Sequence, residues 1–323
     1  TGRAREALEG MRFRFDDELT VTGNYRFRQG YATLSGNGFQ FVPTEVVQPG
    51  SEAADLLASN RAFALPVSLP ENMTATDVLI SGTPVNQVSG VLAHDDRVLR
   101  LAVQSISAEV PANFEAPAPA AGDALRIVGM NLHNYFNGDG NGLGFPTPRG
   151  AETPAEFEQQ RARIGAAIEA LDPHILGVQE LENDGFGPLS AAADLIQLAE
   201  TVTGQNWAVT RPVADDTGGD KITVGLFYRS DMLEAIGPAQ TLSGGEFEKS
   251  RQPQAQLFQQ LPDGKKVLVV VNHLKSKGSC PDSGADMNQR DGQGCWNPVR
   301  LASAKRMAAW ARNVALAGGT DNI

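Results

Sequence analysis

Ile175-Leu-Gly-Val-Gln-Glu-Leu-Glu-Asn183 is the stretch on which the fold turns. Its apolar run ends in Gln179-Glu180, so it reads as a buried strand that carries a carboxylate to its carboxyl end. Upstream, Leu125-Arg-Ile-Val-Gly-Met-Asn131 does the same with an asparagine. One helix lies between them. Thr153 is the expected N-cap, Pro154 takes the first helical position, and Glu156 completes a capping box. Phe157, Ile164, Ile168 and Leu171 share one face at helical spacing, and Asp172-Pro173 stops the run. Strand, helix, strand predicts a right-handed crossover between parallel strands. Asn131 and Glu180 then meet at the carboxyl edge of the sheet, where open α/β sheets place their sites.

The chain of 323 residues is long enough for two domains, and its composition, 41% hydrophobic and 20% charged, is that of an ordinary globular protein. No apolar run is long enough to cross a bilayer. The formal net charge of −11 argues against a protein that coats duplex nucleic acid, which needs a basic field. It leaves room for an enzyme that holds a phosphodiester through a bound cation and a few local basic groups.

Residues 1–117 read as a β-rich accessory domain. Met11-Arg-Phe-Arg-Phe15 alternates with period two, and Leu19-Thr-Val-Thr22 repeats the pattern. Phe39–Val42, Val78–Ile80, Val91–Leu92 and Val98–Val103 are further strand candidates, and a short helix is expected near Glu52–Arg61. His94, beside Asp95-Asp96, reads as a turn residue. The region resembles an oligonucleotide-binding barrel only loosely, with Tyr25-Arg-Phe-Arg28 as its aromatic and basic cluster. Pro111–Gly122 is a linker by its Pro and Ala content, with the boundary near residue 118.

From residue 118 to 323 the pattern alternates strand and helix. Ser190–Gly204 is a helix with Ser190 as cap and Gly204 just past its end. Trp207–Thr210 and Ile222–Tyr228 are strands. Gln256–Gln260 and Val267–His273 flank Leu261-Pro-Asp-Gly264 as a hairpin. A final helix has Asn297 as cap and Pro298 at its first position, with Leu301, Ala304, Ala308, Ala311 and Ala315 on its inner face. Apolar strands alternating with helices indicate an α/β domain with its sheet faces covered.

The chemistry sits at the tips of three strands. A carboxylate at the end of an apolar run, Glu180, needs a partner such as a metal or a base. Asn131 at a strand end is either part of that site or a turn residue. In Val269-Val-Val-Asn-His273-Leu-Lys275-Ser-Lys277, a histidine and two lysines at a loop entrance suit a phosphate. Asp220, just before a strand, is a candidate to orient His273. His133 reads as a packing residue, and His174 as a strand-entry residue. Asn137-Gly-Asp139-Gly-Asn141-Gly142 reads as an active-site loop with a faint likeness to a cation loop. The only two cysteines, Cys280 and Cys295, are either a disulfide or two free thiols.

In order along the chain, Asn131-Leu-His-Asn-Tyr-Phe136, Arg149-Gly-Ala-Glu152, Glu156-Phe157, Gln160-Arg161, Gln179-Glu-Leu-Glu-Asn183, Asp220, Tyr228-Arg229 and Asn272-His-Leu-Lys-Ser-Lys277 resemble the endonuclease/exonuclease/phosphatase superfamily. The insert Gly278-Ser-Cys280 to Cys295-Trp-Asn297 looks like its large secreted bacterial members, which resemble deoxyribonuclease I. The resemblance implies a four-layer αββα sandwich, a Cys280–Cys295 disulfide, an extracellular location, and metal-assisted attack of water on a phosphodiester of DNA, with RNA as a further substrate. It makes Glu180 a metal ligand, with Asn131 holding phosphate or metal. His273 stands against the scissile phosphate with Asp220 behind it, and Tyr228, Arg229 and Lys275 line the substrate groove. Magnesium suits these oxygen ligands, with manganese or calcium as substitutes.

The superfamily's later Gly-Asp-x-Asn strand and Asp-His pair would fall beyond Ile323. The chain also opens on Thr1-Gly2 without Met. The expectation is therefore a sandwich incomplete at its C-terminus, from an active parent but itself inactive. The alternatives are a superfamily phosphatase or phospholipase on inositol phosphates or sphingomyelin, or a noncatalytic binding module.

Overall fold

The computed structural model describes residues 7–70, 79–95, 98–108, 118, 120–122, 124–291 and 293–323. Most of the expected linker (111–117 and Pro119), together with Val78 and Asp96, lies outside the described residues. The chain divides into two compact units. The smaller comprises Thr1–Glu115 with Asn288–Gly294, the larger Ala116–Met287 with Cys295–Ile323.

The smaller unit contains β1 (Arg12–Phe15), β2 (Leu19–Gly23), β3 (Tyr31–Ser35), helix α1 (Ser51–Phe63), β4 (Ala64–Ser68), β5 (Pro84–Asp95) and β6 (Val98–Ala108). Its sheet runs β1-β5-β2-β3-β4-β6, and β5 also pairs with β6. Strands β5, β2, β3, β4 and β6 therefore close on themselves, with β1 outside on β5. The β4–β6 pairing is parallel. Val21, Leu34, Val67, Val85, Val88 and Leu101 fill the interior. Three expectations fail here. Leu79 and Ile80, the described part of the expected Val78–Ile80 strand, belong to no strand. Phe39–Val42 is not a strand: Phe39 and Phe41 meet edge to face at 4.9 Å, and Pro43, which cannot donate to a ladder, opens a single helical turn instead. His94 lies within β5 rather than in a turn, and its Nδ1 meets the Glu9 carboxylate at 3.0 Å.

The larger unit contains β7 (Ile127–Tyr135), α2 (Pro154–Leu171), β8 (Ile175–Glu182), α3 (Ala191–Thr203), β9 (Trp207–Val209), β10 (Ile222–Arg229), β11 (Leu233–Thr241), β12 (Gln254–Gln260), β13 (Lys266–Val271) and α4 (Asn297–Ala317). The β7–α2–β8 unit forms as its caps dictate. Thr153 Oγ1 accepts from the Glu156 N–H at 3.2 Å, and Asp172 ends the helix in the left-handed region. The capping box closes one residue early, because Glu156 Oε2 accepts from the N–H of Glu152 at 2.8 Å. β7 and β8 pair in parallel, as a crossover requires.

Two sheets result, β7-β8-β10-β9 and β11-β12-β13. Alternation along β8 and β10 sends side chains to two different cores. Leu176, Val178 and Phe227 pack under Phe157, Ile164 and Ile168 of α2 and Leu195 and Leu198 of α3. On the opposite face Ile175, Val224 and Leu226 meet Phe258, Val269 and Val271 of the second sheet. Behind that sheet, Ala255 and Leu268 pack on Ala311, Val314 and Ala315 of α4. Helix, sheet, sheet, helix is a four-layer αββα sandwich. The last helix differs in detail from expectation: Trp296 is its N-cap and Asn297 its first residue. Leu301 is exposed, and Ser303, Ala311, Val314 and Ala315 form the buried stripe. In an alanine-rich helix the pattern of apolar residues says little about which side faces inward. Past α4, the Leu268 N–H donates to Asn322 O at 2.9 Å, so the final residues run beside β13.

Candidate active site

Two irregularities in the first sheet build the site. Along β8 and β10, Leu181 pairs with Thr223 and Gln179 with Val224, so Glu180 is an extra residue in its strand. It sits at φ +62°. Along β7, Asn131 pairs with Gln179 but the next partner of β8 is Tyr135, opposite Leu181. His133 and Asn134 take up the slack at φ +59° and +58°. Bulges re-aim side chains at such points, and left-handed backbone at non-glycine residues costs about 1–3 kcal/mol each. The surroundings hold this backbone in place. Gln160 on α2 donates to Leu132 O at 2.7 Å and His133 O at 2.9 Å. The Tyr135 hydroxyl donates to Asp194 on α3, which also accepts from Arg161 Nε at 3.1 Å.

The Glu180 carboxylate thus accepts from Asn131 Nδ2 at 3.1 Å and from the Asn134 N–H at 3.0 Å. Asn131 Oδ1 accepts from the His133 N–H at 2.8 Å. From the second sheet His273, two residues past β13, brings Nε2 to 3.7 Å from Glu180 Oε1. That separation is too long for a hydrogen bond. The Glu180 and His273 side chains are each 19% exposed. The imidazole is held below the usual histidine range, first by burial and then by Arg251, against the opposing pull of Glu180 and Asp220.

Asp220 does not orient His273. Its carboxylate is gripped by Arg149 Nη1 at 2.9 Å and Arg251 Nη2 at 3.1 Å, and His273 Nδ1 is buried with no hydrogen-bond partner among the described residues. Two guanidinium donors make stronger, charge-assisted bonds than one imidazole N–H. Arg251, whose N–H donates to His273 O at 3.4 Å, is a site residue that sequence reasoning missed. It lies in irregular chain before β12, where no periodicity marks it.

Tyr228 and Arg229 lie elsewhere. β10 runs antiparallel to β8, so Ile222 stands opposite Glu182 while Tyr228 stands opposite Ile175, at the far end of the sheet. Tyr228 packs between the sheets, its ring 5.1 Å from that of Phe258. Arg229 serves Gln205 at 2.7 Å and Asp231 at 3.1 Å. His133 is exposed rather than packed, because the bulge turns it outward. His174 does sit at the entry to β8, where Nδ1 accepts the Arg126 N–H at 3.1 Å. Asp139 is occupied by its own loop, accepting from the N–H groups of Asn141 and Leu143 at 2.9 Å each.

Lys275 faces a cavity of about 600 Å³ that starts at Asp220 and Arg251 and is also lined by Glu248, Lys249 and Trp296. The insert is closed by the Cys280–Cys295 disulfide, with Cα atoms 5.4 Å apart. Beside the site, Glu182 is pushed up to about 7 by burial and by Asp184, despite accepting from the Asn137 N–H. Among the described residues no three His, Cys, Asp or Glu side chains converge as a metal cage. One carboxylate and one amide remain, a donor set that suits magnesium, which keeps several waters and leans on substrate phosphates. His273 is the one ionisable partner of the mostly buried Glu180 carboxylate among the described residues. It is held toward its neutral form, so a cation fits there.

No family model matches the chain, and no curated protein matches it. Solved structures do. The catalytic domain of human Nocturnin with bound sulfate is 17% identical, with 61% of each chain covered and a TM-score of 0.38. An endonuclease/exonuclease/phosphatase family protein from Bacteroides thetaiotaomicron is 17% identical over 59% of this chain and 58% of that one, TM-score 0.38. A mannosyl-6-phosphatase from the same organism is 17% identical over 59% and 60%, TM-score 0.38. The chain thus spans about three-fifths of the length of each of these structures.

Proposed function

We propose that the larger unit is a divalent-metal-dependent phosphodiesterase acting on nucleic acid, DNA or RNA. The observation that carries this is the convergence of Asn131, Glu180 and His273 from two facing sheets onto one point, at 3.1 Å and 3.7 Å from the same carboxylate oxygen. Glu180 and Asn131 would hold the cation, which when bound neutralises charge developing on phosphoryl oxygens. The protein's own groups do the rest. His273, neutral at neutral pH, presents a ring N–H to a phosphoryl oxygen. The N–H of Asn134 and the Gln160 bonds keep the Glu180 carboxylate from swinging away. Arg149 and Arg251 neutralise Asp220, so the approach to His273 does not repel a phosphate. The smaller unit is proposed as an accessory barrel of the oligonucleotide-binding kind. A disulfide supports an extracellular location, and no helix among the described residues is long and apolar enough to cross a membrane.

The test is hydrolysis of bis(p-nitrophenyl) phosphate and p-nitrophenyl phosphate by the natural protein carrying this chain, with magnesium and with EDTA. Diester cleavage that requires the metal supports the proposal. Cleavage of the monoester alone replaces it with a phosphatase, and cleavage unaffected by EDTA removes the role given to Glu180.

A further inference from the structure

The cavity that starts at Asp220 and Arg251 has a cationic wall that the reaction centre does not use. Lys249 Nζ and Lys275 Nζ lie 5.4 Å and 5.1 Å from the centroid of the same Trp296 ring. Lys275 Nζ donates to neutral oxygens only, Ser276 O and Oγ and Gly278 O, at 3.2–3.4 Å. Neither lysine pairs with a carboxylate among the described residues. Burial first, then the neighbouring charges of Arg251, Arg300 and Lys249, hold the Lys275 ammonium below its usual range. Two carboxylates also line the cavity. Asp220 is already held by Arg149 and Arg251, and Glu248 is exposed to solvent.

The wall is anchored. Trp296 takes a left-handed backbone at φ +64°, and its Nε1 donates to Gly278 O at 3.1 Å and Ser279 O at 2.9 Å. The disulfide joins Cys280 and Cys295, neighbours of Ser279 and Trp296, so both ends of this arrangement are tied together. In a chain of net charge −11, a pair of ammonium groups against one indole ring calls for an anion. Lys275 follows His273 by two residues, about 7 Å of extended chain, roughly one nucleotide along a strand.

Resting on the reading of Asn131, Glu180 and His273 as a phosphodiester site, we propose that Lys249 and Lys275, seated on Trp296, bind a second phosphate of the same substrate. The substrate is then a polyanionic strand lying along the cavity, not an isolated phosphoester.

Fluorescence anisotropy of a labelled oligothymidylate tests this, with the natural protein in EDTA and sodium chloride varied. Each phosphate contact on a single strand contributes about 0.7 to the slope of log affinity against log salt. The Lys249→Gln/Lys275→Gln double variant should bind several-fold more weakly, with a slope shallower by about 0.7 for the one phosphate lost, and Glu248→Gln should bind more tightly. An unchanged slope in the double variant overturns the second phosphate, even if wild-type protein cleaves bis(p-nitrophenyl) phosphate. The expected slope change without cleavage of any phosphoester supports the subsite and counts against the catalytic reading instead.

Discussion

Glu182 and His273 are the residues whose surroundings make the sharpest pH statements. Glu182 is raised to about 7 in the fold by burial. A raised carboxyl contributes stability that is present below its unfolded value of about 4.3 and is lost as pH rises through 7. Glu182→Gln should therefore stabilise the protein at pH 8 by about 1–2 kcal/mol, allowing for solvent screening, and should make no difference near pH 4. Urea unfolding at the two pH values measures this, and a gain that is equal at both would contradict the assignment. His273 is lowered, by burial and by Arg251. Its neutral form persists to lower pH than that of an ordinary histidine, so the acid limb of kcat/KM should lie below about 6.5. Removing the Arg251 charge with Arg251→Gln should move that limb up. A limb that stays in place would show that His273 is not the titrating group. Asn131, Glu180 and His273 were legible as residues because each is a polar tip on an apolar run. Arg251 was not, and Asp220 was assigned to the wrong partner, because the competition between one imidazole and two guanidinium groups exists only in three dimensions.

At the scale of elements, the helices whose ends carry capping chemistry were the most legible. Thr153-Pro154 and Ser190 with Gly204 set the limits of α2 and α3 almost to the residue. Thr153→Ala should cost about 1 kcal/mol in chemical denaturation without moving Glu180, and a neutral result would mean that the Glu156–Glu152 bond alone holds the helix start. α4 was found, but its buried face was misjudged, since alanine fits either side. β11 was missed altogether. Its Gly237-Pro238 interrupts the pattern, and the strand accommodates them by a register shift between Ile236 and Gln240. Tyr228 and Arg229 were misplaced for a related reason. Periodicity identified β10 as a strand but gave no direction, and the antiparallel pairing with β8 carries both residues away from Glu180.

For the whole molecule, the order strand, helix, strand already implied the parallel β7–β8 pair and the edge at which Asn131 and Glu180 meet. What the sequence did not reveal is how the second sheet brings His273 to that edge. The hairpin Gln254–Val271 packs Phe258, Val269 and Val271 onto Ile175, Val224 and Leu226, and this stacking fixes where β13 delivers His273. The account therefore stands on one joint property of two residues from different sheets. The most direct measurement is cleavage of supercoiled plasmid and of RNA by the natural protein in magnesium, beside Glu180→Ala and His273→Ala. The account predicts cleavage that EDTA abolishes and that falls roughly 10²–10⁴-fold in either variant, with both variants unfolding as cooperatively as the parent. Folded variants that still cleave at the parental rate would contradict it.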